Sequence, residues 1–165
     1  MEKGFHNLET VFAQVNLADR LDFFVSNSSK ITLNYTGLFP VPDKDNLILK
    51  AAELLRKRYK VNKGATIKLE KRIPIGSGLG GGSSDAAATL LALNKLWTLK
   101  LEQKELLSLA AELGSDVPFF ILGGVAIGRG RGELLQPVKC NMPLHIVLVF
   151  PRIESVTRKV YETYD

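Results

Sequence analysis

The sequence has a single cysteine, Cys140, among its 165 residues. One thiol cannot form an internal disulfide, which excludes the disulfide-stapled secreted scaffolds and is typical of a reducing cytoplasm. The chain also lacks an apolar run long enough to span a membrane, and it lacks the apolar stretch of a secretory signal peptide. We therefore expect a cytoplasmic protein with no membrane partner.

Aromatic residues make up only 8% of the chain. They do not alternate with arginines as they do in proteins that bind single-stranded nucleic acid. The formal net charge is +5, but the basic residues from Lys50 to Arg72 are mixed with acidic ones. A mild positive field of this kind suits a polyphosphate substrate. We expect no nucleic-acid partner, and the oligomeric state stays open.

Repeats, low-complexity segments and an internal linker are also absent, and the hydrophobic fraction of 45% is that of a globular domain. Hydrophobic periodicity predicts strands at 10–17, 22–25, 30–35, 65–72, 117–122, 124–128 and 144–150, and helices at 46–59, 84–97, 102–113 and 154–164. Asp45 or Asn46 is suited to cap the first helix. Because strands and helices come in mixed order, an α+β fold is favoured over a doubly wound parallel sheet.

Glycine, by contrast, is concentrated in one short stretch. Five of the seven residues from Gly76 to Gly82 are glycine, and an alanine- and leucine-rich helical pattern follows at once. Glycine permits positive φ angles and close approach of the backbone to another group. The N-terminus of a helix offers unpaired amides and a partial positive charge to an anion. The stretch therefore predicts a phosphate-binding loop.

Three common types of glycine-rich phosphate-binding loop match this sequence poorly. No lysine follows the glycines, which excludes the P-loop of the common NTPases. Gly76, Gly78 and Gly81 match a dinucleotide fingerprint, but the strand before them carries charges at alternate positions, unlike a buried Rossmann strand. The glycine loop of protein kinases joins two strands, whereas this one opens a helix.

The complete run PIGSGLGGGSSDAA, from Pro74 to Ala87, resembles the phosphate-binding motif of the GHMP superfamily of small-molecule kinases. The resemblance implies a GHMP-kinase N-terminal domain, a mixed sheet packed against helices, with ATP and Mg²⁺ as cofactors. It implies that Ser83 and Ser84 cap the helix and offer hydroxyls to phosphate or Mg²⁺, with Ser84 as the candidate metal ligand. The implied ATP-binding residues are Pro74, Gly76, Ser77, Gly78, Leu79, Gly80, Gly81, Gly82, Ser83, Ser84, Asn46, Leu47 and Lys71. For Lys71, an exposed lysine on a strand is the alternative.

Four separated blocks narrow the resemblance: 4–12, 46–51, the glycine run and 114–120. They are similar to the branch that phosphorylates the 2-hydroxyl of cytidine diphosphate-linked methylerythritol (CDP-methylerythritol) in non-mevalonate isoprenoid biosynthesis. The resemblance implies that Phe5 stacks on the cytosine and that His6 hydrogen-bonds its edge. Tyr161, four residues after Thr157, matches the second aromatic wall of the substrate pocket, and the resemblance implies that both residues bind the substrate. A packed position on a terminal helix is the alternative for Tyr161.

Asp116 follows the helix-ending Gly114 and precedes the apolar run that begins at Val117. This position also suits a turn-forming aspartate. The resemblance implies the catalytic aspartate, which accepts or orients the substrate hydroxyl that attacks the γ-phosphate. One well-placed carboxylate is consistent with phosphoryl transfer, which depends mostly on positioning and charge stabilisation.

Two parts of the family pattern are not found here. One is an initial strand whose lysine stands beside the catalytic aspartate, and the other is a second domain. We therefore expect residues 1–150 to be the ATP-binding domain without its first strand and 151–165 to begin a connection, with low activity. The alternatives are another GHMP small-molecule kinase, such as a mevalonate or homoserine kinase, or a non-catalytic nucleotide-binding module.

Overall fold

The computed structural model describes residues 8–37, 45–130, 132–140 and 145–151. Ten elements lie within these ranges. In chain order they are β1 (Leu8–Ala13), β2 (Arg20–Ser26), β3 (Ile31–Gly37), α1 (Leu47–Arg58), β4 (Gly64–Lys71), α2 (Gly81–Leu96), α3 (Gln103–Leu113), α4 (Val117–Leu122), β5 (Val125–Gly130) and β6 (Leu134–Val138).

The strands form two three-stranded sheets. The antiparallel sheet has the order β1-β5-β6. The mixed sheet has the order β2-β4-β3, in which β4 is antiparallel to β2 and parallel to β3. The parallel pair is joined through α1, because parallel strands need a long crossover connection. This combination of a mixed sheet with packed helices confirms the predicted α+β class.

The hydrophobic core lies between the mixed sheet and the helices. On β4, Ile67 and Leu69 are buried while the intervening Lys68 is exposed, as the alternation of the strand predicts. Leu90 and Leu93 are buried on α2, which contacts α1, α3 and α4. The helix that follows the glycine loop is therefore held by contacts with three other helices.

The predicted strand at 117–122 is wrong, because Val117–Leu122 is the helix α4. A short, continuous apolar run does not distinguish a buried strand from a buried helix by periodicity. Pro118 lies in the first helical turn, where a missing amide costs nothing, whereas a proline disrupts a central strand. Gly123 then ends the helix with a φ of 74°.

Three other differences between the prediction and the structure concern strands. Residues 14–17 are outside β1, although the prediction extended that strand to residue 17. The predicted strand at 144–150 is wrong for residues 145–150, which are irregular and pair with no strand among the described residues. No strand was predicted where the structure has β6; this strand contains Pro137 and lies at a sheet edge, where proline is tolerated. The predicted helix at 154–164 lies outside the described residues.

Within the part of the chain that the structure describes, no helix combines the length and the apolar character needed to cross a lipid bilayer.

Candidate active site

The glycine loop joins β4 to α2, and its backbone depends on glycine. Gly76, Gly78 and Gly80 have φ angles of 71°, 74° and 67°, in the left-handed region. At Gly80 a Cβ atom would also lie 2.9 Å from the ring of Phe120 on α4. The loop therefore turns where only glycine turns without strain, and it passes close against α4.

Backbone amides at the start of α2 are available to a ligand. The first hydrogen bond of the helix joins Ser84 N to Gly80 O at 2.9 Å. The amides of Gly81, Gly82 and Ser83 come before this bond and have no partner within the helix. No side chain caps α2. Such a helix N-terminus favours an anion through its amides and its dipole.

The predicted caps of this helix are wrong. Ser83 and Ser84 lie inside the first turn, because α2 begins at Gly81 and has Gly80 as its N-cap. The Ser84 hydroxyl donates to the carbonyl of Gly81 at 2.9 Å. The left-handed conformation of Gly80 makes the turn that a serine cap was expected to make, and so the helix starts earlier.

A cavity of about 330 Å³ opens over the loop. Its lining includes every predicted ATP-binding residue except Ser84, namely Pro74, Gly76, Ser77, Gly78, Leu79, Gly80, Gly81, Gly82, Ser83, Asn46, Leu47 and Lys71. Asn46 is the N-cap of α1, and its side chain accepts a hydrogen bond from Ile48 N at 2.9 Å. The N-termini of both α1 and α2 therefore border this cavity, which we call the loop cavity.

A second cavity, of about 490 Å³, contains Asp116 and Ser84. It is lined by apolar groups from β1 and α4, including Phe12, Phe119 and Phe120. Gly78, Leu79 and Gly80 line both cavities. The glycine loop is thus a common wall. Gly81, Gly82 and Ser83 line only the loop cavity, and Asp116 lines only the second cavity, which we call the acid cavity.

Asp116 occupies the N-cap position of α4, but its side chain does not cap the helix. The residue is exposed, and its carboxylate makes no capping hydrogen bond to α4. Asp116 thus stands directly before a helix, and not before the predicted strand. Its carboxylate is a hydrogen-bond acceptor in the lining of the acid cavity.

Lys71 lies at the end of β4 and is 5% exposed, so the alternative of an exposed strand lysine is wrong. Its ammonium lies 2.5 Å from Asp19 Oδ2 and 3.0 Å from Asp85 Oδ2. Both carboxylate side chains are buried as well. The three residues form a buried charge cluster, and Lys71 and Asp85 line the loop cavity.

Burial raises the pKa of Asp85 from 3.8 to about 6. The neighbouring Lys71 ammonium opposes this rise in the pKa, and the Asp19 carboxylate adds to it. Asp85 belongs to the run PIGSGLGGGSSDAA, so the sequence motif includes this residue, but its place in a buried charge cluster was not predicted. Asp19 lies in a short polar stretch with no motif, and nothing in the sequence distinguished it.

Four predicted substrate residues, Phe5, His6, Thr157 and Tyr161, lie outside the described residues and stay predictions. Among the described residues, no three His, Cys, Asp or Glu side chains are grouped so as to hold a metal ion by themselves.

Comparison with known proteins identifies the domain. The model of the GHMP kinases N terminal domain matches residues 46–124. This range extends from the N-cap of α1 through the glycine loop and Asp116 to the turn after α4. The matched segment therefore contains most of the lining of the loop cavity and the aspartate of the acid cavity.

The similarity to known proteins extends beyond this segment. A 4-diphosphocytidyl-2-C-methyl-D-erythritol kinase of Prochlorococcus marinus (strain MIT 9215) is 46% identical over 99% of this chain and 53% of its own length. The protein of the same name from Shouchella clausii (strain KSM-K16) is 46% identical over 97% of this chain and 54% of its own length. The chain thus spans about half the length of the curated relatives it matches.

A solved structure agrees with these relatives. The crystal structure of a 4-(cytidine 5'-diphospho)-2C-methyl-D-erythritol kinase superimposes with a TM-score of 0.68 and 45% identity, covering 84% of this chain and 48% of that chain. The matched domain model, the similarity along almost all of this chain and the shared fold all agree. Residues 46–124 therefore carry the N-terminal domain of the GHMP kinases, and the rest of the chain is similar to enzymes with this domain.

Proposed function

We propose that this domain binds ATP in the loop cavity and transfers its γ-phosphate to the 2-hydroxyl of CDP-methylerythritol in the acid cavity. The substrate is inferred from the names of relatives that are about half matched by this chain. ATP is the phosphate donor expected of a GHMP kinase.

One observation carries the proposal: the glycine loop is a wall of both cavities. The phosphates of a nucleotide bound to the amides of Gly81, Gly82 and Ser83 would lie along this wall, beside the cavity that contains Asp116. A phosphoryl donor and an acceptor hydroxyl need this adjacency, because the transfer requires in-line approach.

In the proposed reaction the substrate oxygen forms a bond to the γ-phosphorus. The bond from that phosphorus to the bridging oxygen of ADP breaks, and ADP leaves with the electron pair. The carboxylate of Asp116 accepts the hydroxyl proton or orients the hydroxyl for attack. The helix N-termini and loop amides stabilise the charge on the phosphates.

Mg²⁺ fits this arrangement as an ion carried by the nucleotide. The Ser84 hydroxyl and the Asp116 carboxylate both line the acid cavity and are oxygen donors of the kind Mg²⁺ prefers, alongside phosphate oxygens. When bound, the ion would neutralise charge on the phosphates.

The test combines calorimetric titration of ATP with an assay of phosphate transfer to CDP-methylerythritol. We expect the chain and its Asp116→Asn variant to bind ATP with affinities within about threefold of each other, since the aspartate is outside the loop cavity. Turnover should fall about 10²- to 10⁴-fold in Asp116→Asn, the range for loss of a general base.

Asp22→Asn is the matched control, because this aspartate is exposed on β2 and lines neither cavity. Its turnover should stay within about twofold of the unmodified chain. Unchanged turnover in Asp116→Asn would contradict the role of this carboxylate. ATP binding without transfer to any acceptor would favour the nucleotide-binding module, and transfer to mevalonate or homoserine instead would overturn the proposed substrate.

A further inference from the structure

Asp19 is a buried carboxylate that no part of the proposed reaction uses. It lies in the connection between β1 and β2, directly before Arg20, and its side chain is 1% exposed. A buried carboxylate is costly unless charged or hydrogen-bonding partners compensate it. The groups that donate to Asp19 in the described structure, Lys71 Nζ and the amides of Arg72 and Ile73, are all in the segment that leads into the glycine loop.

One oxygen of Asp19 holds the backbone of that segment. Asp19 Oδ1 accepts hydrogen bonds from Arg72 N at 2.6 Å and from Ile73 N at 2.9 Å. The antiparallel ladder between β2 and β4 ends at the pair Arg20–Glu70. Beyond this pair, the Asp19 side chain supplies the acceptor that the backbone of β2 no longer supplies.

The other oxygen holds the side chain of Lys71. Asp19 Oδ2 accepts from Lys71 Nζ at 2.5 Å, and the same ammonium donates to Asp85 Oδ2 on α2 at 3.0 Å. A Cβ atom at Gly81 would lie 3.0 Å from Lys71 Nζ, so the ammonium packs directly against the first residue of α2. Through Lys71, Asp19 thus reaches the end of the loop as well as its beginning.

We propose that Asp19 is a positioning residue of the phosphate site: it fixes the chain on both sides of the glycine loop, so that the amides of α2 are preorganised for a polyphosphate. This inference rests on the proposed function only for the identity of the ligand. The contacts that carry it are those between Asp19, the amides of Arg72 and Ile73, and Lys71.

Preorganisation is needed because the loop is rich in residues that favour flexibility. Gly76, Gly78 and Gly80 have no side chains to pack, and ordering such a segment upon binding would weaken the affinity. Two hydrogen bonds from backbone amides and one buried ion pair order it beforehand. Asp19 does this from a position at least 52 residues away in the sequence.

The first test is amide hydrogen exchange of the unliganded chain. In Asp19→Ala, exchange at residues 72–78 should quicken about tenfold or more, while exchange in α1 stays within about twofold. In Asp19→Asn, whose side-chain carbonyl can still accept from Arg72 N and Ile73 N, exchange at 72–78 should return to within about threefold of the unmodified chain. Asp22→Ala, on the exposed face of β2, is the control and should change neither region.

The second test is calorimetric titration with inorganic tripolyphosphate, a probe of the loop that needs no base pocket. We expect binding to weaken about tenfold in Asp19→Ala and to recover in Asp19→Asn to within about threefold of the unmodified chain. Tripolyphosphate affinity that is unchanged in a folded Asp19→Ala variant would overturn the proposal. So would exchange that quickens equally everywhere, since that result indicates a general loss of stability.

Asp19→Glu replaces Asp19→Ala if the latter does not fold. Glutamate keeps the charge, but its longer side chain cannot hold the two amides and Lys71 in the same places. Exchange at 72–78 that stays unchanged in Asp19→Glu would overturn the proposal. If the unmodified chain binds neither ATP nor tripolyphosphate, the proposed function fails, while the exchange data still decide whether Asp19 orders the loop.

Discussion

Burial governs the chemistry of the carboxylates beneath the loop cavity. Asp85 is 3% exposed and shares one ammonium, that of Lys71, with Asp19. When both acids are ionised, the cluster has an excess negative charge in a region that water barely reaches. Desolvation therefore outweighs the attraction of Lys71, and it raises the pKa of Asp85 to about 6.

This shift predicts a pH-dependent stability. Between about pH 4 and pH 6 the folded protein keeps a proton on Asp85 that the unfolded chain has released, so the free energy of unfolding falls as the pH rises. The difference between the pKa values of 3.8 and about 6 corresponds to a loss of at most about 3 kcal/mol, complete above about pH 6.

Asp85→Asn removes this titration and keeps an acceptor for Lys71. We expect its free energy of unfolding, relative to the unmodified chain, to rise by up to about 3 kcal/mol between about pH 4 and pH 7. Urea unfolding of both proteins across this range measures the difference, in which the other titrating groups cancel. Two curves that stay parallel would refute the shifted pKa of Asp85.

The elements α2 and α4 define the site together. α2 contributes the amides and α4 carries Asp116 at its start, and the two helices pack against each other. Gly80, the N-cap of α2, lies directly beside the Phe120 ring of α4. A change at this point therefore alters both the backbone of the loop and its distance from α4.

Gly80→Ala should destabilise the protein in two ways. A left-handed alanine costs about 1–2 kcal/mol, and overlap of its Cβ with the Phe120 ring adds about 1–3 kcal/mol. Gly124→Ala is the matched control, since Gly124 has a φ of 72° but nothing within 4 Å of an added Cβ. In urea unfolding, Gly80→Ala should lose at least about 1 kcal/mol more than Gly124→Ala. Equal losses would show that the contact with Phe120 relaxes without cost.

For the whole molecule, the longest run of consecutive exposed apolar side chains in the described chain is at residues 146–149. Val147 and Val149 are 88% and 86% exposed, and Ile146 and Leu148 are 52% and 43% exposed. Residues 145–151 form no helix or strand in this structure. Contiguous exposed apolar surface of this kind promotes association.

The double substitution Val147→Lys/Val149→Lys should therefore reduce self-association, measured by light scattering over a range of concentrations. Its free energy of unfolding should change by less than about 0.5 kcal/mol, since both side chains are on the surface. Gln103→Lys/Ser108→Lys adds the same charge at exposed polar positions of α3 and is the control. Equal scattering by the two double variants would mean that net charge, and not the apolar segment, determines association.

The local pattern of the chain was enough for much of the fold and for the position of the glycine loop. The glycine run predicted a loop that opens a helix, and the spacing of Ala86, Leu90 and Leu93 predicted the buried face of α2. Asn46 was one of two predicted caps of α1 and is the cap in the structure. These features depend on residues within a turn or two of each other, and so short-range propensities and periodicity contain the information.

The strand predictions that were wrong have the opposite cause, because they depend on contacts between residues that are far apart in the sequence. The run from Val117 to Leu122 suits a buried strand or a buried helix, and its packing against α2 and α3, with Pro118 in the first turn, made it a helix. Residues 145–150 have strand-like composition but no partner strand among the described residues, and a strand is stabilised by its pairing.

The sequence by itself determined that a glycine-rich loop opens a helix, because the glycines and the helical pattern lie within one short segment. Only the tertiary structure decided that Asp116 and the loop border a common space, and that Lys71 is buried between Asp19 and Asp85. These residues are far apart along the chain, and no local propensity links them. They meet because packing of the sheet and helices leaves one arrangement in which the apolar faces are covered and the buried charges are paired.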